Sequence, residues 1–213
     1  AEWLEFIGDA VRELMDGTPL AGCEVVPVSS TSGLGLHELQ QALDRTLGTF
    51  ERPVTVQPAR LPIDRIFSMA GFGTVVTGTL TGSSLRVGER VEIVPGHRSA
   101  RIRGLQTFGE PVELAAPGSR IAVNLSGPET TDLQRGDVLS IPGSLHPALR
   151  FDAKLRLLPS SERFLSHNDE VIVFTGTSEV PARAAILDAD RIEPGNAGWV
   201  QLRCARPIVV HPG

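Results

Sequence analysis

The chain has 213 residues, 41% of them hydrophobic and 21% charged, which allows one large domain or two small ones of ordinary globular composition. Aromatics make up 5% and Tyr is absent, so the core must be built from Val, Leu, Ile and Ala. The net charge of −5 argues against a broadly basic surface; residues 1–52 carry three Arg against nine acids and the remainder 17 basic against 16 acidic groups, so only a local Arg cluster could grip phosphates.

No apolar run approaches the roughly 18 residues that span a bilayer, and the N-terminus lacks a signal-peptide pattern. The expectation is a cytoplasmic protein with no membrane partner. Cys23 and Cys204 lie far apart without metal-ligand spacing and are expected to be small buried hydrophobes. The histidines show no ligand spacing either, so no metal site is expected.

From the N-terminus, Trp3, Leu4, Phe6, Ile7, Ala10, Val11, Leu14 and Met15 recur at helical spacing, and Asp16-Gly17-Thr18-Pro19 ends that helix. Glu24–Val28 is a short apolar run suited to a buried parallel strand. Ser29–Gly33 makes a tight polar loop, and Leu36, Leu39, Leu43 and Leu47 mark a second helix. One strand cannot bury both faces alone. Residues 1–52 therefore read as the tail of a larger doubly wound α/β domain.

At Glu51-Arg52-Pro53 the composition changes to short Val- and Ile-rich runs punctuated by Gly and Pro, the pattern of closed antiparallel β structure. Strands are expected at 61–67, 73–80, 90–94, 100–107, 120–125, 151–157, 170–175, 182–190 and 198–204. Pro142, Gly143 and Pro147 break the pattern, dividing a first barrel at 53–143 from a second at 144–213. The expected fold is mainly β: two antiparallel β-barrels behind an α/β remnant.

The most informative stretch, Leu61 to Leu80, reads as a hairpin with Gly71 and Gly73 in its turn and Gly78 at a bulge or close backbone approach. A hairpin does not explain Asp64-Arg65, a charged pair inside an apolar strand. The string resembles the opening of the second domain of translational GTPases, and Leu85–Gly88, Val91–Val94, Arg101–Gln106, Pro117–Ser126 and Arg135–Leu139 extend the match. With Asp64-Arg65, Arg101–Gln106 and Asn124–Gly127, the chain looks most like the selenocysteine-specific elongation factors. Ser29-Ser30-Thr31 then resembles the last guanine-contacting loop of a GTPase domain.

That resemblance implies a parent protein that binds GTP and Mg and hydrolyses GTP. The parent would carry selenocysteinyl-tRNA to the ribosome for recoding of UGA, and read an mRNA hairpin through a C-terminal region not in this sequence. No G-x-x-x-x-G-K-[ST] or Asn-Lys-x-Asp motif occurs here, so no catalysis and no cofactor are expected of this chain itself. The resemblance assigns Arg65 and Arg103 to an anionic selenol, with Asp64 orienting an Arg or binding the α-amino group and Phe67 and Thr77 lining the aminoacyl pocket. Arg65 and Arg103 are expected on neighbouring strands. A structural ion-pair network is the alternative use of Asp64, Arg65 and Arg103. Arg98 and Arg101, with Arg150 and Arg156, are expected on the tRNA backbone. The last barrel strand is expected to be incomplete near Val210–Gly213. Two other readings stay open: another translational GTPase, as ordinary aminoacyl-tRNA carrier or initiation factor, or the GTPase subunit of a sulfate-activating enzyme.

Overall fold

A computed structural model of the chain describes residues 2–49, 57–69, 71 and 73–210. The composition change at 51–53, the turn residues Ala70 and Phe72, and the terminal His211-Pro212-Gly213 lie outside them. The chain divides into two compact units, residues 1–54 and 55–213.

In the first unit, α1 (Glu2–Met15) and α2 (Leu36–Thr49) form where the 3.6-residue periodicity places them. Residues 23–29 run between them without a strand partner, so the expected parallel strand is not formed. A parallel strand needs hydrogen-bonded neighbours on its edges, and the described residues of this unit supply none. The apolar side of α1 is correspondingly open, with Trp3, Phe6 and Leu14 exposed. Arg45 Nη2 donates to both Glu24 carboxylate oxygens at 2.9 Å, tying α2 to that segment. Cys23 is exposed, contrary to expectation, while Cys204 is buried.

Among its described residues the second unit contains 15 strands. They are β1 (Arg60–Met69), β2 (Gly73–Thr79), β3 (Leu85–Arg86), β4 (Arg90–Val94), β5 (Arg98–Thr107), β6 (Glu110–Val112), β7 (Leu114–Ala115), β8 (Arg120–Ser126) and β9 (Val138–Ser140), followed by β10 (Ala148–Arg156), β11 (Leu165–Ser166), β12 (Asp169–Thr175), β13 (Ser178–Ile186), β14 (Arg191–Ile192) and β15 (Ala197–Ile208). The order β4-β9-β1-β2-β8-β5 closes through β4–β5 pairing into a six-stranded antiparallel barrel, with β6 attached outside β5. Its interior is filled by Leu61, Ile63, Val76, Val91, Ile93, Ile102, Leu105, Ile121, Val123, Leu125 and Leu139.

The second expected barrel is not found closed. Strands β10-β15-β13-β12 form a four-stranded sheet and β11–β14 a separate ribbon. Four strands are too few to wrap a side-chain-filled cylinder, so β10 and β12 each keep an unpaired edge among the described residues. Ala184, Ile186, Val200 and Leu202 still give that sheet a packed inner face.

Two irregularities in the barrel decide where its side chains point. Ile63 pairs with Gly78 and Arg65 with Thr77, so Asp64 is an extra residue in β1. Ile102 pairs with Leu125 and Gly104 with Asn124, so Arg103 is an extra residue in β5. Each bulge reverses the alternation beyond it. In β1 the core positions pass from Leu61 and Ile63 to Ile66, and in β5 from Ala100 and Ile102 to Leu105.

The β1 bulge requires Gly78 opposite it, because a Cβ there would lie 2.3 Å from the Pro62 carbonyl oxygen. Gly78→Ala should destabilise the barrel by about 2–3 kcal/mol through forced backbone displacement. Chemical denaturation of the chain checks this, and an unchanged midpoint would refute it.

A tight junction links β9 to β1: the Ile63 amide donates to Asp137 O at 2.8 Å and the Gly136 amide to Ile63 O at 3.0 Å. The Asp137 carboxylate is buried and accepts the Gln134 amide at 3.0 Å. Burial pushes this carboxyl above its ordinary value, against the Gln134 hydrogen bonds and the charges of Arg206 and Arg98. An acid raised in the folded state contributes stability that is complete below its unfolded pKa and lost as pH rises through the folded value. Asp137→Asn, which keeps an acceptor for the Gln134 amide, should therefore flatten stability across the weakly acidic range. Thermal melts against pH test this; a variant with the parent's slope contradicts it.

Candidate functional site

The outer wall formed by β1, β2, β8 and β5 carries most of the residues expected to bind a ligand. Beyond its bulge, β1 turns Arg65 and Phe67 outward, and Phe67 is 39% exposed. On β2, Thr77 lies opposite Arg65 and Val75 opposite Phe67. On β8, Ala122 and Asn124 continue those two rows, and on β5 Gln106 and Gly104 complete them. Arg103, at the β5 bulge, is exposed on the same wall.

Arg65 and Arg103 thus share a face but do not occupy neighbouring strands, as the sequence suggested. Strands β2 and β8 stand between theirs. The error lay in reading one hairpin without the strand order that closes the barrel.

The acid at this site is held by a residue that sequence reasoning missed. Arg120, which opens β8, reaches over Thr77 to Asp64; its Nε lies 3.2 Å from Oδ2, and its Nη2 lies 2.9 Å from Oδ2 and 3.1 Å from Oδ1. The Thr77 hydroxyl donates to Asp64 Oδ1 at 2.5 Å. Burial alone would raise the Asp64 carboxyl, but the hydrogen bonds from Thr77 and Arg120 and the charges of Arg120 and Arg65 outweigh it, and the carboxyl lies below its ordinary value. The outward orientation of Arg120 follows from the alternation of β8, where it stands two residues before Ala122, but its partner does not.

Arg65 and Arg103 have no hydrogen bond or ion pair among the described residues. Beside Arg103 a cleft of about 270 Å³ is lined by Val75, Leu105, Gln106, Pro111, Ala122 and Asn124. The Asn124 side-chain oxygen is buried there without a partner. The wall therefore combines two uncommitted guanidinium groups, one neutralised acid and an apolar recess. Such a surface suits an anionic group joined to a larger, partly apolar ligand.

The remaining expected positions fall elsewhere. Arg98 pairs with Asp132 at 3.3 Å, which partly spends its charge, while Arg101 is exposed. On the four-stranded sheet Arg150 lies opposite Arg203, and Arg203 opposite Arg183. Of these three, Arg183 alone has an acid partner among the described residues, Glu170 at 2.6 Å. Arg156 is exposed further along β10. In the first unit, the Ser29 amide donates to Leu34 O and the Gly33 amide to Ser29 O, both at 2.9 Å, folding the loop on itself. The Ser29 and Thr31 hydroxyls lie 3.1 Å apart, and the loop is largely exposed. The amides of Ser29, Ser32 and Gly33 are thus already used within the loop, and the G-x-x-x-x-G-K-[ST] and Asn-Lys-x-Asp motifs do not occur in this sequence.

Residues 73–140 match the family described as Elongation factor Tu domain 2. Over 208 residues the chain is 43% identical to the selenocysteine-specific elongation factor of Desulfomicrobium baculatum, a match covering 97% of this chain and 33% of that protein. It is 34% identical over 222 residues to elongation factor Tu 2 of Streptomyces avermitilis, covering 95% of this chain and 55% of that protein. Among solved structures, translation elongation factor SelB from Methanococcus maripaludis in its apo form is similar with a TM-score of 0.85 at 23% identity, over 99% of this chain and 49% of that one. A bacterial selenocysteine-specific elongation factor EF-Sec gives a TM-score of 0.81 at 23% identity, over 98% and 33%. The chain thus spans a third of the first curated relative and about half of the second. Residues 73–140 thus belong to the Elongation factor Tu domain 2 family, and nearly all of the chain's length is similar to selenocysteine-specific elongation factors.

Proposed function

We propose that this chain is the barrel-bearing part of a selenocysteine-specific elongation factor that binds selenocysteinyl-tRNA with GTP and delivers it to the ribosome at UGA. The 43% identity to such a factor over 97% of the chain carries this reading. Residues 1–52 are then the tail of the GTPase domain, 53–143 the second domain and 144–213 the third. GTP and Mg belong to the longer protein, where the nucleotide supplies the switch between tRNA-holding and tRNA-releasing states; Ser29, Ser30 and Thr31 would face its base. An mRNA hairpin would be read by a region outside this sequence.

The outer wall supports the selenium-specific part. A selenol is ionised near neutral pH and a serine hydroxyl is not, so an anionic side chain gains charge-assisted hydrogen bonds from Arg65 and Arg103 that serine cannot offer. Thr77 and Phe67 border the same face, and Asp64 belongs to its charge balance. The row Arg150-Arg203-Arg183, with Arg98, Arg101 and Arg156 as further contacts, supports an RNA backbone partner, since phosphates relieve like charges placed directly opposite on a sheet.

The 34% identity to an elongation factor Tu favours one second reading, an ordinary aminoacyl-tRNA carrier. Affinities of the full-length GTP-bound protein for selenocysteinyl- and seryl-tRNA separate the two. The expected result is strong preference for the selenocysteinyl form, reduced about tenfold or more by Arg65→Ala or Arg103→Ala with seryl-tRNA little changed. Equal affinity for both tRNAs in the parent would sink the proposal. The chain by itself, lacking most of the GTPase domain, should bind charged tRNA weakly; a tight complex in filter binding would contradict that.

A further inference from the structure

We infer that Arg120 is a positioning residue for selenium discrimination: by taking the Asp64 carboxylate in a two-pronged grip, it keeps the neighbouring Arg65 uncommitted and able to hold an anion. The inference rests on the selenocysteine reading above. Asp64 is adjacent to Arg65 in the chain, and the bulge brings both to the outer wall. Without another cation, the natural partner of this carboxylate is the Arg65 guanidinium, and a neutralised Arg65 has little attraction left for a selenolate.

Arg120 and Thr77 prevent that pairing. Arg120 occupies both carboxylate oxygens and Thr77 hydrogen-bonds to Oδ1, so the acid accepts four hydrogen bonds from two residues and none of them comes from Arg65. The Arg120 side chain is 54% exposed and Asp64's 24%, so the pair sits at the solvent boundary and is not part of the barrel interior. Its contribution to holding the barrel together is correspondingly small. What the pair does determine is the charge pattern of the wall: Arg120 takes the direct contacts of Asp64, which Arg65 meets only as a nearby charge, so Arg65 and Arg103 keep no ion pair among the described residues. Arg120 need not touch the ligand to have this effect.

The test uses the full-length factor in GTP and reads the ratio of selenocysteinyl- to seryl-tRNA affinity. A contact to the shared tRNA body or α-amino group cancels in that ratio. Arg120→Ala should release Asp64 to pair with Arg65 and lower the ratio about tenfold, chiefly through the selenocysteinyl form. Adding Asp64→Asn should restore most of the ratio, because the amide cannot neutralise Arg65. If Arg120→Ala lowers both affinities equally, or the double variant Arg120→Ala/Asp64→Asn stays as poor as the single one, Arg120 has no role in discrimination and the inference falls. Arg65→Ala separates this failure from a deeper one. A ratio that collapses in Arg65→Ala but not in Arg120→Ala overturns only the Arg120 inference; a ratio indifferent to Arg65→Ala overturns the selenocysteine reading as well.

Discussion

A one-residue slip in strand pairing sets the chemistry of the barrel wall. Side chains on a strand alternate faces with period two, so Leu61 and Ile63 in the core would be followed by Arg65 and Phe67 in the core. A guanidinium buried among Leu and Ile without a partner would cost several kcal/mol. The extra residue at Asp64 reverses the alternation: Ile66 takes the core position, and Arg65 and Phe67 turn out. The same device acts in β5, where the extra Arg103 lets Leu105 fill the interior and directs Gln106 outward. Gly78 permits the first of these bulges by letting the Pro62 carbonyl approach its backbone.

The wall also explains how a chain of net charge −5 presents a positive surface where one is useful. The acids of the barrel are largely spent locally. Glu92 holds His97 and the Gly143 amide, Asp132 holds Arg98, and Asp64 holds Arg120. Among the described residues Arg65, Arg101 and Arg103 remain outward on the β1-β2-β8-β5 wall without an ion pair. Total charge is therefore a poor guide here; the pairing pattern decides where the field is positive.

Much of the barrel was legible because its strands alternate cleanly. The expected spans at 73–80, 90–94 and 120–125 agree with β2, β4 and β8 to within a residue. Gly71 and Gly73 do adopt positive φ, of 80° and 82°. Short strands such as β3, β7, β11 and β14 were missed, since two residues carry no periodicity. Strand β13 was placed too far along the chain, at 182–190: it begins at Ser178, and Pro181 sits on its outer face. The parallel strand at 24–28 failed for another reason. Its apolar character was read correctly, but a strand exists only through its neighbours.

The site was legible in its members and not in their arrangement. Asp64-Arg65 stood out because two charges interrupt an apolar run, a local anomaly that sequence exposes. Arg120 stood out nowhere: it opens an ordinary alternating strand, 56 residues from the acid it holds. The pairing depends on β8 lying next to β2, a fact of barrel closure that no local pattern encodes. Closure also determines which surface can serve a ligand. A six-stranded barrel packed with Leu, Ile and Val fills its interior with those side chains, so the bulges decide which polar side chains the outer surface offers.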